Sequence, residues 1–294
     1  MISLIICART GNVSDTLLNN VESTIGCDHE WVVIDNSRHQ YNIFQAYNIG
    51  VARAKGDILC FMHDDLLYHT DNWGSIAERA FDENTNLALL GIAGAHIIPD
   101  APAPMWSFQH IGTVRIWNAT PLDETPFDQH GLLPDGGYWS GNLAFAEGRR
   151  NVPAANIDGL WMCGRAECFD SMRFDEQTYD GFHCYDADIS MQALANGWGI
   201  MVSTEILIEH FSDSILTPDY FRAAELWYRK WKDHLPVVRG VELDARMTET
   251  LRCYTLDAIR YEKALIENRR LLGTYAYRLG KALLRPFSCL RHNR

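Results

Sequence analysis

The segment 57–69, DILCFMHDDLLYH, is apolar from Ile58 to Met62, stops at His63-Asp64-Asp65, and turns apolar again at Leu66. Two adjacent carboxylates repel each other, and neither is cheaply desolvated at the edge of a buried segment. A positive partner is called for, and a divalent cation is the simplest one. Mg2+ and Mn2+ take oxygen ligands, keep several waters, and are shared between one or two carboxylates and the phosphates of a substrate. A second acidic pair, Asp186 and Asp188 in FHCYDADIS, stands at the start of a predicted helix, where carboxylates suit the helix dipole. Capping that helix is one role for such a residue, and taking a proton from a substrate is another. Asp35 ends the apolar run of VVIDNS, and His210 ends that of ILIEHFS. Taken singly, each also reads as structural: a helix cap for Asp35, a satisfied core histidine for His210.

The elements that must position these residues alternate strand and helix. ISLIICA, 2–8, is a short continuous apolar run, the pattern of a strand covered on both faces. VSDTLLNNVESTI follows as an amphipathic helix with Ser14 as its N-cap. EWVVIDNS is the next strand, NIFQAYNIGVARAKG a helix ending at Gly56, and DILCFMHDD the third strand. DNWGSIAERAFDEN reads as a helix and LALLGIAG as a fourth strand, which together predict βαβ units and a mainly parallel sheet. Ligands of such a sheet bind outside the carboxyl ends of its strands, so Asp35, Asp64 and Asp65 face one crevice. From His96 to about Asn156 the alternation gives way to a proline-rich stretch that also holds Trp106 and Trp139. A loop-rich segment of that length inside a compact domain is a functional one. Order returns with IDGLWMCGRAECF, a helix from about Tyr185 and the strand IMVSTEILIEHF, and after Phe211 the chain is helical.

With 294 residues, 47% hydrophobic and 22% charged, the chain is one fairly large globular domain, or one domain with an appendage. A net charge of −12 argues against nucleic acid as a partner, which needs a basic face. An acidic protein can still bind an anionic substrate when a metal supplies the positive charge. Eight cysteines form no C-x-x-C pair, no segment has the pattern of a secretory signal, and no apolar run approaches the ~20 residues of a membrane span. A cytoplasmic protein is expected. The last stretch is different: seven Lys or Arg and no Asp or Glu lie between Arg269 and Arg294. YRLGKALLRPFSCLRHNR suits the inner face of an anionic membrane, as a peripheral contact, and equally a solvated tail. Leu251, Ile259, Leu265 and Leu272 stand at helical spacing, for packing on the rest of the chain or on a second copy in a homo-oligomer.

In this order, SLIICART, VVIDNS, AYNIGVARAKGDILCFMHDD and YDADISMQAL resemble the nucleotide-sugar glycosyltransferases of the GT-A fold, nearest to the large inverting family-two class and its bacterial relatives. The resemblance covers roughly residues 2 to 212. It implies an α/β fold, a GT-A type mainly parallel nucleotide-binding sheet flanked by helices, as a catalytic domain over 1–212 with a helical extension over 213–294. The implied activity is transfer of a sugar of hexose type from a nucleoside diphosphate sugar to a glycan hydroxyl, with inversion and with Mn2+ or Mg2+. The acceptor would be lipid-linked if the tail meets a membrane. By the same resemblance Asp35 would accept hydrogen bonds from the base, with Arg9 and Thr10 close by. Asp64 would lie near the ribose or diphosphate, and Asp158 against the donor sugar. Asp65 would hold the cation, with His210 returning to it and His63 in the place of the first acid of the family's Asp-X-Asp. Asp186 would be the general base, with Asp188 in reserve, and Tyr185 replaces the first acid of the family's Glu-Asp pair. Trp106, Trp139 and Trp161 are candidates to stack on sugar faces. Two other classes stay open. A metal-dependent nucleotidyltransferase would show a glycine-rich phosphate loop where CARTGN stands. A non-catalytic carbohydrate-binding protein on a degenerate transferase fold would explain the departures at His63 and Tyr185.

Overall fold

The computed structural model describes residues 1–104, 149–211 and 216–273, and the backbone of three strands between 108 and 140. Its elements in chain order are β1 (Ile2–Ala8), α1 (Asp15–Thr24), β2 (His29–Asp35), α2 (Ile43–Arg53), β3 (Ile58–Met62), β4 (Leu66–Tyr68), α3 (Trp73–Glu83), β5 (Leu87–Gly91) and β6 (Ala93–Ile98). Then come β7 (Phe108–Gly112), β8 (Val114–Ile116), β9 (Tyr138–Ser140), β10 (Asn151–Pro153), β11 (Asn156–Ile157), β12 (Trp161–Arg165) and α4 (Tyr185–Ala195). β13 (Gly199–Ser203), β14 (Ile208–His210), α5 (Pro218–Trp231), β15 (Val237–Val238) and α6 (Ala245–Gly273) complete it.

The first two helices begin where their caps dictate. Ser14 accepts the Leu17 N–H at α1, and Asn42 and Gln45 form a reciprocal capping box at α2. The three strands expected from apolar runs form and lie side by side: β1 and β3 are buried on both faces, and β2, at the edge of the sheet, is buried mainly at Val32 and Ile34. They belong to a seven-stranded sheet of order β10-β13-β5-β12-β3-β1-β2. The pairings run β2, β1, β3, β5 and β13 in one direction, with β12 and β10 reversed. The expected strand LALLGIAG is broken at Ile92: β5 stays in this sheet, and β6 leaves for a smaller one with β11, β15 and β7. The reversed β12 matters most for function. Inserted antiparallel between β3 and β5, it sets its own first residues beside the last residues of β3.

The sheet separates two apolar layers. Ile5, Phe61 and Met162 pack with Phe44, Tyr47 and Trp227 on one side, while Leu4, Ile6 and Cys60 pack with Leu17, Trp73 and Trp161 on the other. Adjacent residues of a strand point to opposite faces, so one continuous apolar run supplies both layers. Trp161 is fully buried and meets Trp73 edge-on at 6.0 Å, which makes it a core residue and removes it as a sugar platform. The side chains of Trp106 and Trp139 lie outside the described residues. Tyr220, Phe221, Ala224 and Trp227 of α5 are buried in the same layer as α2 and α4. No helix among the described residues is long and apolar enough to cross a membrane. The basic stretch from 274 onward lies outside them.

Candidate active site

His63 extends the β3–β12 ladder by one residue, its N–H donating to the Leu160 carbonyl at 3.0 Å. Two residues on, β4 pairs antiparallel with β14, setting His210 opposite Leu66, and the Phe211 N–H donates to the Asp65 carbonyl at 3.1 Å. That short pairing returns a histidine 147 residues away to the end of β3. His210 Nε2 stands 3.3 Å from His63 Nδ1 and 3.4 Å from Asp65 Oδ1, and the three ligand atoms lie within 4.8 Å of one another. Ligand atoms about 2.1 Å from one ion are about 3.0–3.4 Å apart, so the trio fits a single divalent cation. Two imidazoles and one carboxylate suit Mn2+ and its transition-metal neighbours better than Mg2+, which prefers oxygen. Burial and the neighbouring His210 hold His63 down to about 4, so near neutral pH its imidazole has a lone pair to give.

Asp64 does not join the trio. Arg9 grips it with Nη2 at 2.6 Å and Nε at 3.1 Å from Oδ1, and its backbone N–H reaches Oδ2 at 3.2 Å. Part of the positive charge that the doublet requires is therefore the chain's own. The register of β1 on β3, Ile6 beside Met62, places Arg9 and Asp65 each three residues beyond a paired position. Arg9 Nη2 lies 3.5 Å from Asp65 Oδ2 as well.

Asp186 enters from the other wall. Cys184, at the N-cap of α4, takes the left-handed conformation with φ +68° and no side-chain cap, a strained turn for a residue with a Cβ. It leads directly into Tyr185 and Asp186, and neither Asp186 nor Asp188 caps the helix. Asp186 is 5% exposed and accepts two backbone N–H groups, from Gly159 at 3.0 Å and from Ala187 at 2.8 Å. Burial, and then the Asp158 carboxylate, push its pKa up to about 7. A carboxylate that holds a proton this well is matched to general-base work near neutrality. Asp158 and Gly159 reach this place because β12 is reversed. Gly159 is closely fitted here: an added Cβ would strike the Tyr185 hydroxyl oxygen and displace it.

Asp188 stands apart from the cleft. Its carboxylate is 1% exposed and is held by Tyr179 Oη at 3.1 Å, Trp231 Nε1 at 2.8 Å, Gln192 Nε2 at 2.7 Å and Lys230 Nζ at 2.9 Å. Residues two apart on a helix do not share a face, so one carboxylate meets the cleft and the other ties α4 to α5. The reserve role as base therefore has no geometry behind it. Asp188→Asn is expected to cost about 2 kcal/mol of stability, the scale of a lost charge-assisted hydrogen bond, and to leave cation binding unchanged. Urea denaturation together with Mn2+ titration checks this. Lost catalysis at unchanged stability would return Asp188 to the chemistry.

These walls enclose a cleft of about 800 Å3 that also presents Asn36, Gln40 and Tyr41 on one side and Phe182 and His183 on the other. Arg9, His63, Asp64, Asp65, Asp158, Asp186 and His210 all line it. Two expected contributors do not. Thr10 is exposed and turns its hydroxyl to the Asn12 carbonyl at 3.0 Å. Asp35 is exposed at the end of β2, accepts the Ser37 N–H at 2.9 Å and lies over Gly11, whose φ is +85°. Asn36 and Tyr41, which nothing in the residue pattern singled out, take the cleft wall beside it. Their signal was position alone, on the loop after a strand that ends in Asp.

Residues 3–132 match a family described as glycosyltransferase-like. No curated protein matches the sequence significantly. Among solved structures, that of GalNAc-T7 with UDP, GalNAc and Mn2+ is similar with a TM-score of 0.51 and 12% identity over 79% of this chain. The match covers 50% of that protein's chain, so this chain spans about half of its length. S. aureus TarS residues 1–349 in complex with UDP-GlcNAc is similar with a TM-score of 0.46 and 12% identity, covering 87% of this chain and 71% of the other. The protein has the GT-A fold of nucleotide-sugar glycosyltransferases. Over residues 3–132 it also carries the sequence pattern of the glycosyltransferase-like family.

Proposed function

We propose that the protein is a metal-dependent glycosyltransferase that moves a sugar from a nucleoside diphosphate sugar to a hydroxyl of a glycan acceptor, with inversion. One observation carries the reading. A cation-ligand trio, His63, Asp65 and His210, and a buried carboxylate of raised proton affinity, Asp186, face the same cleft. The first suits a diphosphate leaving group, and the second an attacking hydroxyl. GalNAc-T7, which shares the fold, is seen with UDP, GalNAc and Mn2+, a donor fragment and a cation of the kind proposed.

A cation held by the trio supplies Lewis acidity toward the diphosphate. The chain's own residues do the rest. Arg9 occupies Asp64 and keeps that carboxylate out of the trio's shell. Asp158 faces the donor sugar from the turn between β11 and β12. Phe182, 52% exposed, offers a flat apolar face at the cleft's edge, 5.7 Å from the His63 ring, in the role first considered for tryptophan. Asp186 takes the proton of the acceptor hydroxyl while its oxygen bonds to the anomeric carbon and the bond to the diphosphate breaks. One base acting opposite the leaving group gives inversion, and the two backbone N–H groups on Asp186 hold it in place for that step.

The reading predicts that protein stripped with a chelator regains donor turnover with Mn2+, and to a lesser extent with Mg2+. A panel of nucleoside diphosphate sugars, scored for nucleotide release with each cation, checks this. No metal-dependent release from any donor would overturn it. Pyrophosphate release from a nucleoside triphosphate and a sugar phosphate would instead favour the nucleotidyltransferase.

A further inference from the structure

Two positions depart from the motifs that this chain resembles, His63 and Tyr185, and the fold joins them: His63 Nε2 and Tyr185 Oη are 2.9 Å apart, across 122 residues of sequence. We propose that Tyr185 is a positioning residue for the cation site, its hydroxyl oxygen accepting the Nε2–H of His63 so that Nδ1 is presented, bare, toward Asp65 and His210. The inference rests on the metal reading above and adds a residue to it.

The chemistry follows from the imidazole. A neutral ring carries one proton, and a nitrogen that binds a cation must be free of it, so the proton resides on the other nitrogen and needs an acceptor. For Nδ1 to serve the trio, Nε2 must carry the proton, and the oxygen facing it belongs to Tyr185. Without an acceptor there, the alternative tautomer would place its hydrogen on Nδ1, between His63 and His210, in the space the cation needs. The hydroxyl is firmly placed for this task. Tyr185 is 4% exposed, and its ring meets Tyr47 edge-on at 5.6 Å and Phe44 edge-on at 6.3 Å. The close approach of Gly159, where any Cβ would strike the hydroxyl, closes the remaining side. The two departures therefore act as a pair. An acid at position 63 would need no tautomer fixed, and so no hydroxyl at 185 to fix it.

Tyr185→Phe keeps the ring and deletes only the acceptor. Mn2+ affinity, measured by electron paramagnetic resonance of the free ion, is expected to fall about tenfold or more, the usual scale for an outer-shell partner of a metal-binding histidine. In a His63→Ala background the same substitution should change affinity less than about twofold, because the group it positions is gone. A general structural defect would weaken both backgrounds alike, and that result would overturn the proposal. Gly159→Ala, which displaces the hydroxyl from outside, should reproduce the loss in the protein that keeps His63. Unchanged Mn2+ uptake by Tyr185→Phe, with normal uptake by the wild type, removes the role of Tyr185 and leaves the metal site standing. A wild-type protein that takes up no Mn2+ fails the metal reading first, and this role with it.

Discussion

Asp186→Asn is expected to lower the rate of sugar transfer about 10²–10⁴-fold, the range over which a positioned base acts, and to leave nucleotide and Mn2+ binding nearly unchanged. The amide preserves the shape and one acceptor for the Gly159 and Ala187 N–H groups, but it cannot take a proton. The pH profile sharpens the test. Burial and Asp158 raise the Asp186 carboxyl to about 7, so wild-type transfer should climb as pH rises through that value, and the residual activity of the variant should lose this rise. Stability of the metal-free protein moves the other way. A carboxyl whose folded-state value lies above its ordinary 3.8 binds its proton more tightly when folded. Its contribution to stability is complete at pH below the ordinary value and is lost as pH rises through the interval up to about 7. Thermal melts of the wild type between these limits should show that slope, and Asp186→Asn should flatten it. Full transfer activity in the variant would leave the mechanism without its base.

The second large effect is expected at Asp65. Asp65→Asn removes the charged ligand from the trio while keeping its outline, and metal-dependent nucleotide binding should fall by about tenfold or more. His210→Ala should act in the same direction without unfolding the protein, since β14 keeps its backbone pairing with β4. Isothermal titration with Mn2+ present and absent separates loss of the cation from loss of the nucleotide. If His210→Ala lowers the melting temperature and leaves metal affinity alone, the histidine is a core residue, as a lone buried histidine usually is. Because Asp64 already has Arg9, Asp64→Asn should disturb Mn2+ binding far less than Asp65→Asn.

The strands β1 and β3, and with them the strand-end carboxylates Asp64 and Asp65, were legible because a strand covered on both faces has to be a continuous apolar run; β2, at the sheet edge, was legible from the shorter run VVI. Ser14 and the start of α4 were legible because caps and helix starts are local. What stayed hidden is long-range or geometric. β12 runs against its neighbours, and nothing in IDGLWMCGR shows direction. The pairing of Arg9 with Asp64 spans 55 residues, and that of His63 with Tyr185 spans 122. Asp186 and Asp188 are the instructive case. The sequence puts Asp186 first as base and holds Asp188 in reserve, yet the helix that carries both sends residues two apart to different faces, so only one of them can meet the cleft. Thr10 and Asp35 fell short for another reason: a strand end fixes the edge of the crevice, and the loop beyond it decides which side chain turns inward.

The central claim is that one cation sits between β3 and β14 and that the cleft around it handles a diphosphate. Crystals soaked with Mn2+ and a nucleoside diphosphate, measured at the manganese absorption edge, test it most directly. One anomalous peak is expected within about 2.0–2.3 Å of His63 Nδ1, Asp65 Oδ1 and His210 Nε2, with phosphate oxygens completing the shell. A peak elsewhere in the cleft, or nucleotide bound with no peak at the trio, would contradict it.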